Sequence, residues 1–212
     1  MLAEPTVDIA VFARAPIPGQ AKTRLIPRLG ADGAAHLQRQ LTAAALARAR
    51  ALPGARVTLW TTAASDDADA RAAARGVGAT VRTQLGADLG ARMAHAFSHT
   101  LDARRPMLLI GTDCPAQTVG DLRAAAAALL RADAVVQPAE DGGYVLIGMN
   151  EPRPVLFTDI AWGSNLVLAA TRTRAEEHGI RLAELPPCWD LDRSEDLDRA
   201  LALGLVHLTA QA

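Results

Sequence analysis

Val7-Asp8-Ile9-Ala10-Val11-Phe12-Ala13-Arg14-Ala15-Pro16-Ile17-Pro18-Gly19-Gln20-Ala21-Lys22-Thr23-Arg24-Leu25 changes character halfway along. Val7 to Ala13 is a mostly apolar run through Ile9, Val11 and Phe12, and it reads as a buried strand. Pro16-Ile17-Pro18-Gly19 then forces a loop that presents three cations, Arg14, Lys22 and Arg24, with the Thr23 hydroxyl. Such a loop can wrap a polyphosphate. Gly19 lets backbone N–H groups approach phosphate oxygens, Lys22 supplies a compact charge, and Arg14 or Arg24 supplies a planar fork for bidentate pairing. It is not a Walker A loop, because Ala21 precedes Lys22 and Pro16 stands where the first glycine is required. A solvated basic turn would have the same composition. The place of the loop after the first strand favours phosphate.

Downstream, helix and strand patterns alternate. Leu37, Leu41, Ala45 and Ala49 recur at i, i+4 spacing and predict an amphipathic helix over 32–51. Strands are expected at 56–62, 79–83, 107–110, 134–137 and 144–149, with extended chain at 181–185. Helices are expected over 66–75, after Gly90, after Thr118, over 163–179 and after Ser194; Thr118 with Asp121 forms a capping-box pattern, and Ser194 is read as the last cap. Asp141-Gly142-Gly143 is expected to turn the chain between two strands, the second pairing antiparallel. This alternation implies an α/β protein with a mostly parallel sheet covered on both faces, organised as a single domain over 1–212. Ligands of such sheets bind beyond the carboxyl ends of the strands, which places the loops after Val11, Ile110 and Val136 on one rim.

The polar residues of that rim are the candidates for chemistry. Gly111-Thr112-Asp113-Cys114-Pro115 follows a buried strand, so Asp113 is the leading ligand for Mg²⁺ or Mn²⁺, with a helix N-cap as the bland alternative. Asp190-Leu191-Asp192 would put both carboxylates on one side of an extended segment, and Asp192 is favoured over Asp190 to complete the metal site. Asp141 could orient an acceptor hydroxyl or act as a base, with Gly142 and Gly143 admitting substrate close to the backbone and Tyr144 following. Arg92 could reach a base or phosphate, and Trp162, followed by Gly163 and Ser164, could stack on a sugar or base.

The 212-residue chain is half hydrophobic, has a formal net charge of −1 and provides no net basic field for nucleic acid. Its longest alanine-leucine run, Ala124 to Leu130, falls far short of the roughly 20 apolar residues that span a bilayer. Met1-Leu2-Ala3-Glu4-Pro5 lacks the basic start and apolar core of an export signal. The two cysteines, Cys114 and Cys188, are far apart and in no CxxC spacing, which argues against a disulfide framework or structural zinc and fits a reducing cytoplasm. Exposed apolar edges would support a homodimer.

The run from Phe12 to Leu25, followed by Leu89-Gly90-Ala91-Arg92-Met93, Gly111-Thr112-Asp113-Cys114-Pro115, Asp141-Gly142-Gly143-Tyr144 and Trp162-Gly163-Ser164, resembles a bacterial family of GT-A-fold glycosyltransferase-like proteins described as radical-SAM- and selenodomain-associated transferases. More distantly the chain is similar to the nucleotidyltransferases that make phospholactate-guanosine and molybdenum-cofactor dinucleotides. The resemblance implies a three-layer GT-A, or nucleotide-diphospho-sugar transferase, fold with a mostly parallel mixed sheet. It implies that Lys22 and Arg24 contact nucleotide phosphates with help from Arg92, that Asp113 binds metal with Asp192 as the distal acidic ligand, and that the Asp141-Gly142-Gly143 turn faces the second substrate. The sequence departs from the DxD of sugar-nucleotide transferases, since Cys114-Pro115 follows Asp113, and from the GxGTR form of the first loop.

The expected activity is a metal-dependent transfer from a nucleotide-activated donor, most simply a sugar nucleotide, to a small-molecule acceptor. Nucleotidyl transfer from a nucleoside triphosphate, with release of pyrophosphate, is the alternative reaction. A regulatory protein that binds nucleotide without turnover is the alternative outside enzymology.

Overall fold

The computed structural model describes residues 6–62, 68–100 and 105–208. Among these residues seven strands form one sheet: β1 (Asp8–Ala13), β2 (Arg56–Thr61), β3 (Thr80–Thr83), β4 (Met107–Gly111), β5 (Ala134–Pro138), β6 (Tyr144–Met149) and β7 (Leu182–Glu184). The spatial order is β3-β2-β1-β4-β6-β5-β7. Only β6 runs antiparallel to its neighbours. Its link to β5 is the short turn 139–143, too short for the crossover that a parallel pair requires. Because β6 lies between β4 and β5, reversing it leaves β1, β4 and β5 pointing the same way, and their carboxyl ends share one rim.

Among the described residues six α-helices cover the sheet: α1 (Ile26–Ala51), α2 (Ala68–Gly76), α3 (Leu89–Thr100), α4 (Val119–Ala128), α5 (Val167–Glu177) and α6 (Ser194–Ala202). Every residue of β1 is buried, as a strand covered on both faces must be. Ile9, Val11 and Ala13 face a core shared with Ala45 and Leu46 of α1, Ala74 of α2 and Leu122 of α4. Ala10 and Phe12 face the opposite core, with Met93 and Phe97 of α3 and Leu168 of α5. The protein is thus a three-layer α/β fold, with a core on each face of the sheet. A third cluster joins Leu25, Leu37 and Leu41 to Trp189, Leu191 and Leu197, so the loop after β1 and the C-terminal segment pack on each other.

At the opposite end of the sheet, the buried Asp8 carboxylate takes two bonds of 2.7 Å from Arg56 and one of 3.0 Å from Arg105. A buried carboxylate needs such partners, and here they tie β1, β2 and the start of β4 together away from the ligand rim.

Several element ends differ from expectation for local reasons. The long first helix begins at Ile26, six residues early, but Gly30 interrupts it at φ +68°, so a separate turn precedes the regular helix. α5 starts at Val167 rather than 163: Gly163 is at φ +84°, and the Ser164 hydroxyl donates to the carbonyl of Ala161, spending these residues on a turn. Ser194 does not cap the last helix. Arg193 occupies that position, and Asp196 satisfies the free backbone N–H groups of Asp192 and Arg193 at 3.1 and 2.7 Å. The Thr118–Asp121 capping box forms as expected, with both reciprocal bonds in place. The expected helix start at Asp66 and the segment Met1–Pro5 lie outside the described residues. Among the described residues no helix is long and apolar enough to cross a membrane.

Candidate active site

The loop after β1 is held by two left-handed residues, Gly19 at φ +79° and Lys22 at φ +48°. Glycine adopts that conformation freely, whereas a lysine there carries a backbone cost that the surrounding contacts must offset. They do so through its side chain. Lys22 is buried, and its Nζ lies 2.9 Å from Asp113 Oδ1 while donating to the carbonyl of Leu191. Asp113, in the loop after β4, is about half exposed, so one face of its carboxylate meets Lys22 and the other remains open to solvent.

A relay of buried polar groups orients Asp113. Gln38 Nε2, on α1, donates to Thr112 Oγ1 at 3.0 Å, and Thr112 Oγ1 donates to Asp113 Oδ1 at 3.2 Å. The Asp113 carbonyl accepts from Leu191 N at 2.7 Å, docking the C-terminal segment against the β4 loop. Arg24 pairs with Asp192, and Arg28 reaches the carbonyl of Ser194 and the carboxylate of Asp198. Residues 188–198 are therefore a strap laid across the loop after β1, and Lys22 is its central tie.

The strap, the rim loops and the turn after β5 enclose a cleft of about 400 Å³. Two arginines, Arg14 and Arg24, three acids, Asp113, Asp141 and Asp190, and the side chains of Tyr144, Trp162 and Ser164 line it. Asp190 is the most perturbed acid of the site. Burial, then the negative charges of Asp141, Asp113 and Asp192, push its carboxyl up to about 6. Carboxylates crowded in this way gain from a shared cation. A larger hollow of about 530 Å³ lies beside residues 28–39 and 207–208, off the strand rim, with Asp32 as its only acidic residue.

The structure gathers Arg14, Arg24, Asp113, Asp141, Gly143, Tyr144, Trp162 and Ser164 around this cleft. Other candidates sit elsewhere. Lys22 lies behind Asp113, Gly19 and Thr23 shape the loop, and Arg92 bonds through Nε to the carbonyl of Gly86 at 3.2 Å. Asp192 is engaged by Arg24, while Asp190 takes the place on the cleft wall. Gly142 is not a gap for substrate: a Cβ there would stand 2.2 Å from the carbonyl oxygen of Asn165, so the glycine serves close backbone packing. Asp141 shapes the same turn, accepting from Gly143 N at 2.9 Å.

Burial also raises the Tyr144 phenol well above its usual range, because the hydroxyl points into the protein and leaves the ring to the cleft. The Trp162 indole rests against Gly90, where a Cβ would come within 2.6 Å of Nε1. That contact joins two motifs that are 72 positions apart, since Gly90 and Trp162 form one wall. Sequence reasoning missed Gln38, Thr112 and Gln84, whose amide donates to the carbonyls of Ala13 and Trp60 at 3.0 Å and closes the ends of β1 and β2. The signal for Gln38 was a polar residue on the apolar face of a helix.

Comparison with known proteins accords with this geometry. A protein from Desulfovibrio desulfuricans G20 assigned to the nucleotide-diphospho-sugar transferases is 30% identical over 93% of this chain and 86% of its own, with a TM-score of 0.83. A cytidylyltransferase from Leptospira borgpetersenii serovar Hardjo-bovis shares 17% identity and a TM-score of 0.57 over 86% of this chain and 76% of its own. The 4-diphosphocytidyl-2C-methyl-D-erythritol synthase of Anaerococcus prevotii DSM 20548 shares 10% identity and a TM-score of 0.62 over 95% and 97% of the two chains. These two likenesses concern the fold alone. No curated protein matches the sequence. The family model for the uncharacterized proteins conserved in bacteria, DUF2064, matches residues 45–164, from the second half of α1 through the turn before α5, and the chain belongs to that family.

Proposed function

We propose that this protein is a transferase that takes a group from a nucleotide-activated donor, most simply a sugar nucleotide, and passes it to a small acceptor with the help of Mg²⁺ or Mn²⁺. The observation that carries this reading is the meeting of cations and carboxylates in one cleft. Arg14 and Arg24 line the same hollow as Asp113, Asp141 and Asp190, at the carboxyl ends of β1, β4 and β5. A diphosphate would lie against the arginines, and Asp113 and Asp190 would hold a divalent cation that offsets its charge.

The donor chemistry of the site fits such a cation. Asp113 and Asp190 offer the hard oxygens that Mg²⁺ and Mn²⁺ prefer, and burial together with neighbouring negative charge favours cation capture. Among the described residues no three His, Cys, Asp or Glu side chains close around one point, so the protein would supply one or two ligands and the phosphates and water the rest. When bound, the metal supplies charge stabilisation for the departing phosphate. Arg14 and Arg24 share that charge, Lys22 and Thr112 hold Asp113 in place, and Asp141 accepts the proton of the acceptor hydroxyl. Trp162 and the ring of Tyr144 offer apolar faces to the transferred group.

A second reading, nucleotidyl transfer with attack at the α-phosphorus and loss of pyrophosphate, is favoured by one specific feature. The acidic residue after β4 stands alone, followed by Cys114-Pro115, with no second carboxylate beside it. Titration of the protein with sugar nucleotides and nucleoside triphosphates, with and without Mn²⁺, separates the two by thermal stability. A Mn²⁺-dependent rise with a sugar nucleotide that is lost in Asp113→Ala supports the first reading. A rise confined to triphosphates supports the second, and no rise with any of them rejects both.

A further inference from the structure

The two cysteines that spacing leaves unrelated meet in the fold. Cys114 follows Asp113 in the loop after β4, Cys188 begins the strap that carries Asp190, and their sulfurs are 3.0 Å apart although 74 positions separate them in the chain. Two thiols at that distance need to close by only about 1 Å to reach disulfide bond length. One backbone bond joins the two segments directly, and others fix the start of the strap on the end of β5. Cys188 N donates to the Pro138 carbonyl at 2.9 Å, Ala139 and Cys188 form a parallel bridge, and Leu191 N donates to the Asp113 carbonyl at 2.7 Å. The strap is therefore held beside the β4 loop, with the sulfurs in contact, before the bond forms.

We propose that Cys114 and Cys188 form a reversible intramolecular disulfide that locks the strap to the β4 loop and so makes the wall of the cleft responsive to oxidants. Cys188 is partly exposed and takes the first attack; Cys114, buried in the cleft wall, resolves it. With a low-molecular-weight disulfide as oxidant, the Cys188 sulfur attacks one of its sulfurs and releases one thiol. The Cys114 sulfur then attacks Cys188 Sγ and releases the second. The two cysteine protons leave on the two released thiols, and the oxidant is reduced by the two electrons that the pair gives up. The Arg48 guanidinium, whose Nε and Nη2 are buried without hydrogen-bond partners, lies close enough for its charge to act on both sulfurs.

Cross-linking two segments so far apart in sequence restricts the unfolded chain strongly, while the native frame needs little adjustment. The inference concerns the thiols and stands whatever donor the cleft takes. Its test is incubation of the full chain with oxidised glutathione, followed by alkylation and peptide mass spectrometry under non-reducing conditions. The expected product is a monomer with both thiols blocked to alkylation, a peptide joining Cys114 to Cys188, and a melting temperature about 5–10 °C higher that dithiothreitol reverses. Cys188→Ser should abolish the cross-link and the temperature rise, and Cys114→Ser should stop at a glutathione adduct on Cys188. A wild-type product in which Cys188 carries glutathione while Cys114 stays alkylatable on denaturation, or in which the link joins two chains, overturns the proposal.

Discussion

Lys22 Nζ lies 2.9 Å from Asp113 Oδ1 and bonds on its other side to the carbonyl of Leu191, so one ammonium joins the loop after β1, the loop after β4 and the strap. Neighbouring Arg24 is largely exposed and pairs with Asp192 at the surface. The two cations share one loop but differ in what surrounds them, and their removal should differ accordingly.

Lys22→Met leaves a buried carbonyl and one face of Asp113 without a donor, which costs about 2–4 kcal/mol of stability. Arg24→Ala removes a surface ion pair and changes stability by less than about 1 kcal/mol, while lowering nucleotide affinity roughly 10-fold or more through the lost charge. Urea unfolding and nucleotide titration of both variants check this. Equal loss of stability would show that Lys22 is not the tie described.

Asp190 gives a dependence on pH whose sign is fixed by the direction of its shift. Its carboxyl is pushed up to about 6 in the folded protein, against about 3.9 in an unfolded chain. Above pH 6 both states are ionised and the folded state bears the full cost of the crowded charge. As pH falls from about 6 to about 4, the folded state takes up the proton first and the cost is relieved. Asp190→Asn should therefore raise the melting temperature of the metal-free protein by about 2–4 °C at pH 7.5, corresponding to roughly 1 kcal/mol after allowance for partial exposure. The gain should vanish by pH 4. Melting curves across this range test it, and a gain that persists at pH 4 would assign the effect to packing.

Gly142 and Gly163 form a matched pair. Both have positive φ, but a Cβ at Gly142 meets the carbonyl oxygen of Asn165 at 2.2 Å and one at Gly163 meets nothing within 4 Å. Gly163→Ala should cost about 1 kcal/mol for backbone strain alone. Gly142→Ala should cost at least about 3 kcal/mol, because two backbone segments must separate. Urea unfolding that ranks the two alike would remove the close packing argued for the Asp141-Gly142-Gly143 turn.

Asp8 offers a test remote from the cleft. Asp8→Ala leaves Arg56 and Arg105 without their shared carboxylate and should destabilise the fold by about 3–5 kcal/mol. Nucleotide affinity at temperatures where the variant remains folded should be unchanged.

The readability of the sequence followed the range of the interaction. β1, β4 and the capped start of α4 were legible because their signals are local: an apolar run that ends at breakers, or Thr118 three residues before Asp121. From these alone the rim and the place of Asp113 upon it followed. What stayed hidden depended on contacts between distant residues. Alternation put Asp190 and Asp192 on one side, but the Arg24 pair turned Asp192 to the loop and left Asp190 in the cleft. Nothing in the spacing of Gly90 and Trp162, Gln38 and Thr112, or Cys114 and Cys188 announces that each pair touches, because that closeness is made by the crossing of whole elements. Ser194 was misread for a subtler reason: serine is a good cap, but Asp196 reached back to do that work from within the helix.

Since the strap follows β7 in the chain, residues 188–198 leave the ribosome only after all seven strands have emerged. A nascent chain can thus assemble the entire sheet while Lys22, Asp113 and the apolar face of Leu25 and Leu41 still await their partners. A product stopped before Cys188 would display an uncovered greasy surface that chaperones and proteases can recognise, and its cleft would lack the Asp190 carboxylate.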